Sequence, residues 1–302
     1  MIELKIRAIM FKGLNIIKFG EEFSTDEKCY AYLAAIKWEN GYSCANCGNQ
    51  KSFAGKQPQG RCCTKCHYDE SVTAHTMFHK LKFPLRKAFY IAFLVVTGKK
   101  GISTHELERK LSLRQKTCWL FKRKVMEAMK SSHEYPLEGK VEVDEFFIGG
   151  PEEGKPGRGN EKKRQVVLAI QVDGFGIHRS YAQVIPSANH IELTAFFDQH
   201  IDQSAQVRND GWTGYLPLKK DYPGLIAEPS GKGKNFPLLH RQIMMIKAWL
   251  RGIHHQCKHL QAYLDEYNYR FNRLKHMDTI FHNLIYRLMW HPPTIYQNLK
   301  MT

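Results

Sequence analysis

The stretch GKVEVDEFFIGG, ending at Gly150, constrains the fold most, because it sets one carboxylate in the middle of a segment whose neighbours demand burial. Val141, Val143, Phe146, Phe147 and Ile148 make a β-branched and aromatic run closed by a glycine pair, the pattern of a core strand. Asp144 interrupts it. A carboxylate inside such a run must be paired, hydrogen-bonded or bound to a metal, since leaving it dry and alone costs several kcal/mol. The plainer alternative is an aspartate on the solvent face of an edge strand, with Glu142 and Glu145 as ordinary surface charges.

The charge balance narrows the class of partner. Lys plus Arg number 45 against 29 Asp plus Glu, a net +16 in 302 residues, so the surface field favours polyanions. Length allows two or three domains, and 43% hydrophobic content is that of a globular protein. No uninterrupted apolar run reaches bilayer length, and the first twenty residues lack the apolar core and cleavage site of a signal peptide. A cytoplasmic, nucleoid-associated protein with no membrane partner is expected.

Cysteine usage points the same way. Cys44/Cys47 and Cys63/Cys66 form two C-x-x-C pairs separated by fifteen residues. This resembles a zinc ribbon, in which four thiolates surround one tetrahedral Zn²⁺ and the metal replaces a core too small to build. Cys62 offers an alternative to Cys63, but only Cys63 keeps the two-residue gap to Cys66. A thioredoxin-like redox pair is the rival, and no βαβ pattern surrounds either pair. His67, His75 and His79 read as surface histidines. Ahead of the cysteines, Ser24 or Thr25 caps a short helix reaching Trp38, while the first twenty residues show no clear period and receive no role.

From Pro84 to Met129 the pattern is helical. Leu85, Ala88, Phe89, Ala92, Phe93 and Val96 form an apolar stripe, Gly98 and Gly101 stop it, and Ser103 with Glu106 three residues on opens a second helix. A third follows Leu113. Helix, short turn and helix, with Arg114, Lys116, Lys122 and Arg123 on the last segment, resembles a DNA-binding helix-turn-helix. The alternative is an ordinary helical hairpin with a solvated basic face.

Beyond the strand carrying Asp144 comes a glycine-rich basic loop with Lys155, Arg158, Lys162, Lys163 and Arg164. It lacks the G-K-[ST] of a phosphate-cradling P-loop, and its charges suit DNA backbone contact. Gln165–Val172 and Ile177–Ile185 read as a hairpin, Asn189–Ile201 as a helix, Ala205–Asp210 as a strand ending in a carboxylate, Leu225–Ala227 as a short strand and Leu238–Arg251 as a helix. That order is the ribonuclease-H-like one, an α/β fold with a mixed sheet. It puts Asp144 on the central strand and Asp210 at the end of its neighbour, so the two converge. The expected layout is a helical segment at 1–39, a zinc ribbon at 40–80, a helix-turn-helix-like region at 81–135, the ribonuclease-H-like domain at 138–275, and a C-terminal helix and tail at 276–302.

Taken with Asn209-Asp210-Gly211-Trp212-x-x-Tyr215, Lys247-x-Trp249-Leu250-x-Gly252-x-His254-His255 and Tyr263-Leu264-Asp265-Glu266-Tyr267-x-Tyr269-Arg270-Phe271-Asn272-Arg273, these motifs resemble the DDE-type insertion-sequence transposases with an N-terminal zinc ribbon. The resemblance runs from about Cys44 onward. It implies a DNA transposase that cleaves double-stranded DNA at the element's terminal repeats and joins it to a target, with Mg²⁺ or Mn²⁺ as cofactor. It also implies synapsis of two DNA ends by a homodimer or higher oligomer. Asp144 would bridge the metals and Asp210 would bind one of them, since in-line phosphoryl transfer wants two hard cations on oxygen ligands.

The third position departs from the family. Thirty-five residues beyond Asp210, where such enzymes place Glu and this group Asn, stands Met245, and a thioether is a poor Mg²⁺ ligand. On a helical wheel His240, Met244, Lys247 and Arg251 share one face. Either His240 supplies the third ligand, or the copy is a catalytically disabled DNA-binding protein. Lys247 is assigned to DNA phosphate. Asp265 and Glu266 are expected to cap or pair with Arg270 and Arg273. A zinc-ribbon transcription factor with a non-catalytic α/β domain is the remaining reading.

Overall fold

A computed structural model describes residues 10–149, 163–174, 176–253 and 258–301. The chain forms two compact units, one from residues 1–129 and 275–302, the other from 130–274.

In the first unit, helices α1 (Ile16–Glu22) and α2 (Asp26–Lys37) are capped by Asn15 and Thr25, whose side chains accept the free N–H groups of the first turn. Phe11 and Phe19, from the segment the sequence left without a role, and Phe23 just after it anchor an aromatic core: Phe19 is fully buried and stacks on Phe93 at 4.1 Å. Phe281, from the C-terminal helix Ile280–Trp290, meets Phe19 edge-on at 5.0 Å. The ribbon is a three-stranded antiparallel sheet, β1 (Ser52–Ala54), β2 (Arg61–Cys63) and β3 (Asp69–Glu70). Helices α3 (Leu85–Thr97), α4 (Thr104–Leu111) and α5 (Gln115–Ala128) follow. Ser103 caps α4 by accepting from the Glu106 N–H at 3.1 Å.

The second unit is a mixed α/β domain of ribonuclease-H-like order. Its strands are β4 (Lys140–Ile148), β5 (Arg164–Asp173), β6 (Gly176–Ile185), β7 (Gln206–Asn209) and β8 (Leu225–Ala227), and they lie in the order β6-β5-β4-β7-β8. β4, β5 and β6 are antiparallel, whereas β7 and β8 run parallel to β4. Strand alternation divides the sheet. Val141, Val143, Val167, Ala169 and Val207 pack with Phe196 and Phe197 of α6 (His190–His200) on one face. Glu142, Asp144 and Phe146 point to the other, where α7 (Pro237–Arg251) lies. α7 is tied there by Gln242, which donates to the Ser180 hydroxyl at 3.2 Å, and by Lys247, whose Nζ sits 5.3 Å from the Phe146 ring.

Helix α8 (Leu260–Phe271) and the residue after it cover the free edge of β6 with amides. Gln261 accepts from the Val184 N–H at 2.8 Å, Asn268 donates to the Ala182 carbonyl at 3.3 Å, and Asn272 makes two bonds with Ser180, accepting from its N–H at 2.8 Å and donating to its carbonyl at 2.9 Å. An edge strand needs such cover, because its unpaired backbone otherwise pairs with other chains. Asn272→Ala strands two groups of a fully buried residue and is expected to destabilise the protein by about 2–4 kcal/mol, read as a lowered urea midpoint with an unchanged m-value. The Glu266 carboxylate is fully buried and pairs with Arg270 at 3.7 Å, while Arg273 lies over the Tyr269 ring at 3.9 Å.

Candidate functional site

The thiols of Cys44, Cys47, Cys63 and Cys66 lie within 4.8 Å of one another, with Cys44 to Cys66 at 3.5 Å and Cys47 to Cys63 at 3.6 Å. Four sulfurs around one Zn²⁺ at about 2.3 Å stand about 3.8 Å apart, so the set fits a structural zinc. The two knuckles are built alike. Gly48 and His67, each following the second cysteine of its pair, take left-handed φ of 71° and 58°. Each returns its N–H to the carbonyl of the first cysteine, at 2.9 Å and 3.1 Å. Burial pushes the Cys63 thiol up, but N–H donors from Cys66, Asn49 and Lys65 outweigh it and bring it down to about 6. Cys62 stands outside the cluster and faces the His67 carbonyl at 3.6 Å. Among the described residues no other three His, Cys, Asp or Glu side chains converge this closely.

The β4–β7 ladder leads toward Asp144 and Asp210 and ends two residues short of each. Lys140 faces Gln206, Val141 faces Val207 and Glu142 faces Arg208. Asp144 and Asp210 each lie two residues beyond the last pair, Glu142 and Arg208, and by strand alternation Asp144 keeps to the face of Glu142. Both aspartates are half-buried. Gly211, at φ 85°, turns the chain immediately after Asp210 and lets its carboxylate accept from the Trp212 N–H at 3.0 Å. Asp144 accepts from the Glu145 N–H at 2.7 Å.

Two residues that the sequence reading did not assign to the site belong beside them. The buried Tyr215 hydroxyl donates to the Glu145 carboxylate. Burial pushes this phenol well above its ordinary value, and Glu145, Asp144 and Asp210 add to the effect, so three carboxylates bear on one hydroxyl. The hints in the sequence are that Glu145 adjoins Asp144 and that Tyr215 closes the Asn209-Asp210-Gly211-Trp212-x-x-Tyr215 motif. Glu142 is no surface charge either. At 6% exposure it pairs with Arg208 at 3.3 Å, and burial still raises its pKa against the pull of that cation.

On α7, Met245 is 46% exposed. The His240 Nε2 is buried without a hydrogen-bond partner among the described residues, on the side of the helix that bears on Glu142. Lys247 lies over Phe146, two residues past Asp144 on the same face; burial lowers its pKa, and Arg251 adds to this. Lys163 and Arg164 enter β5 opposite the end of β4, with Arg164 paired to Ile148 and exposed. Lys155, Arg158, Lys162 and the His254-His255 pair lie outside the described residues.

The helix-turn-helix expectation needs correction at two positions. Arg114 and Lys116 are exposed at the start of α5. Lys122 and Arg123, expected to face DNA, are 1% and 3% exposed. Lys122 donates to the Ile102 carbonyl at 2.8 Å and Arg123 to that of Leu299 at 3.3 Å. Their stems cross the core, so they hold the unit together.

Comparison with known proteins gives family matches over two stretches of the chain. Residues 136–272 match the ISXO2-like transposase domain family, and residues 24–69 match a transposase zinc-ribbon domain. A protein in transposable element ISH50 of Halobacterium salinarum is 24% identical over 66% of this chain and 72% of its own length. Among solved structures, a Mos1 transposase paired-end complex with the left transposon end is 12% identical, with a TM-score of 0.30 over 67% of this chain and 75% of that one. A pre-cleavage Mos1 transpososome is also 12% identical, with a TM-score of 0.28 over 62% and 72%.

Proposed function

The chain belongs to the DDE-type insertion-sequence transposases with an N-terminal zinc ribbon, and from that premise we propose that it cuts and rejoins double-stranded DNA at the ends of its element. The observation that supports this reading is the pairing of Glu142 with Arg208, an offset that, continued two residues, would bring Asp144 and Asp210 opposite each other. Carboxylates are the hard oxygen donors that Mg²⁺ or Mn²⁺ takes, so the pair suits that group. Divalent cations held there supply activation of the attacking water or 3′-hydroxyl and stabilisation of the leaving oxygen.

The protein's own residues do the rest. Asp144 and Asp210 would hold the cations. His240, whose Nε2 is buried without a hydrogen-bond partner among the described residues, would be the third donor in place of Met245. Lys247, Lys163 and Arg164 bind backbone phosphates, and Lys155, Arg158 and Lys162, outside the described residues, are assigned the same task by their charge. Arg114 and Lys116 serve the helical module, where phosphate contacts set register and a few base contacts set sequence. Two DNA ends are brought together by a dimer.

The rival reading, a DNA-binding protein with a disabled nuclease, draws on the half-exposed thioether at Met245. An assay on DNA carrying the element's terminal repeats separates the two. Cleavage with Mg²⁺ or Mn²⁺ is the expected result, and salt-sensitive binding without any cutting overturns it. Met245→Asn is expected to leave the rate within a few-fold, and a gain of cutting would mark the wild type as impaired.

A further inference from the structure

The β4–β7 ladder stops at Glu142 and Arg208, two residues short of both aspartates. No sheet pairing therefore sets the separation of Asp144 and Asp210 where it matters. Side chains take over. Asp144 accepts from the Glu145 N–H at 2.7 Å, Glu145 accepts from the Tyr215 hydroxyl, the Tyr215 N–H donates to the Trp212 carbonyl at 3.1 Å, and the Trp212 N–H donates to Asp210 at 3.0 Å. This circuit runs from one aspartate to the other without using the sheet. It is also anchored from outside, because the Trp212 indole donates to the Ala188 carbonyl at 2.9 Å and the Tyr215 ring is 2% exposed in the core against Phe197.

We propose that Tyr215 is a positioning residue of the two-aspartate site: its hydroxyl, donating to Glu145, braces the turn after Asp210 against β4 and fixes the gap between the two aspartates. The inference rests on the reading of Asp144 and Asp210 as metal ligands. Glu145 acts through its hydrogen bond and does not bind the cation. Trp212 fixes the angle of the turn, and Tyr215 fixes its distance from β4. Hydrogen-bond partners behind metal ligands carry about ten- to a hundredfold in metal affinity.

The test titrates the full-length, zinc-loaded chain with Mn²⁺ alone and follows free Mn²⁺ by electron paramagnetic resonance, with Asp144→Asn defining the site of interest. Tyr215→Phe is expected to weaken that site about tenfold or more with the ring still packed. Glu145→Gln keeps an acceptor for the phenol and is expected to stay within about threefold of wild type, whereas Glu145→Ala is expected to match Tyr215→Phe. Combining Tyr215→Phe with Glu145→Ala is expected to add little. If Tyr215→Phe does not fold, the contrast between the two Glu145 variants still decides. Wild-type affinity in Tyr215→Phe overturns the brace, as does an equal loss in Glu145→Gln and Glu145→Ala, which would make Glu145 a ligand. A wild type with no Asp144-dependent Mn²⁺ site overturns the metal reading beneath it and the brace with it, and that pattern is distinct from the other two.

Discussion

Asp144→Asn is expected to abolish strand cleavage at the element's ends while leaving DNA binding and the fold in place. The substitution keeps size and shape, and an amide oxygen still accepts the Glu145 N–H that Asp144 holds at 2.7 Å. What it removes is the negative charge on the central strand, opposite Asp210 by the extended register. Metal ions at a phosphoryl centre supply several kcal/mol of transition-state charge stabilisation, so losing a carboxylate that would hold them should lower the rate about a thousandfold. Phosphate-directed binding comes from cations elsewhere, so gel-shift affinity for terminal-repeat DNA should change little. A variant that cuts at a rate near that of wild type would remove Asp144 from the chemistry.

Stripping zinc is expected to have the largest effect on stability. The ribbon's own buried cluster is Tyr42, Cys44 and Cys63, with Trp38, Cys66 and Tyr68 only partly covered. Two of its strands have three residues and the third has two. So small a core does not fold by burial alone. Structural Zn²⁺ contributes about 10–16 kcal/mol in comparable small modules. A chelator, or Cys63→Ser, should therefore erase the amide resonances of residues 40–70 while those of the sheet domain persist. Retention of the ribbon resonances without metal would contradict the assignment.

Much of this was legible before the fold. The strand order followed from β-branched and aromatic runs bounded by turn residues, because strands buried on both faces read as near-continuous apolar runs. The zinc site followed from spacing, since a tetrahedral thiolate set needs tight knuckles. The helix facing Asp144 was legible as a periodic stripe. What failed depended on packing. Lys122 and Arg123 carry charges that read as solvent-facing, but the direction of α5's faces is set by Ile102 and by Leu299 of the short helix Tyr296–Met301, which returns from far along the sequence. Phe11, Phe19 and Phe23 form no period on their own and become a core only when Phe93 and Phe281 meet them. Glu145 and Tyr215 are seventy residues apart, and their meeting follows from where the β4–β7 pairing ends. Asn272 sat inside a recognised motif, but its task, closing the edge of β6, depends on which strand lies outermost.

The account turns on one shared divalent-ion site between β4 and the turn after β7. The most direct measurement is the anomalous difference map of a crystal soaked in Mn²⁺. The account predicts a peak about 2.1 Å from carboxylate oxygens of both Asp144 and Asp210. Mn²⁺ bound to only one of them, or found only away from this face of the sheet, would contradict it.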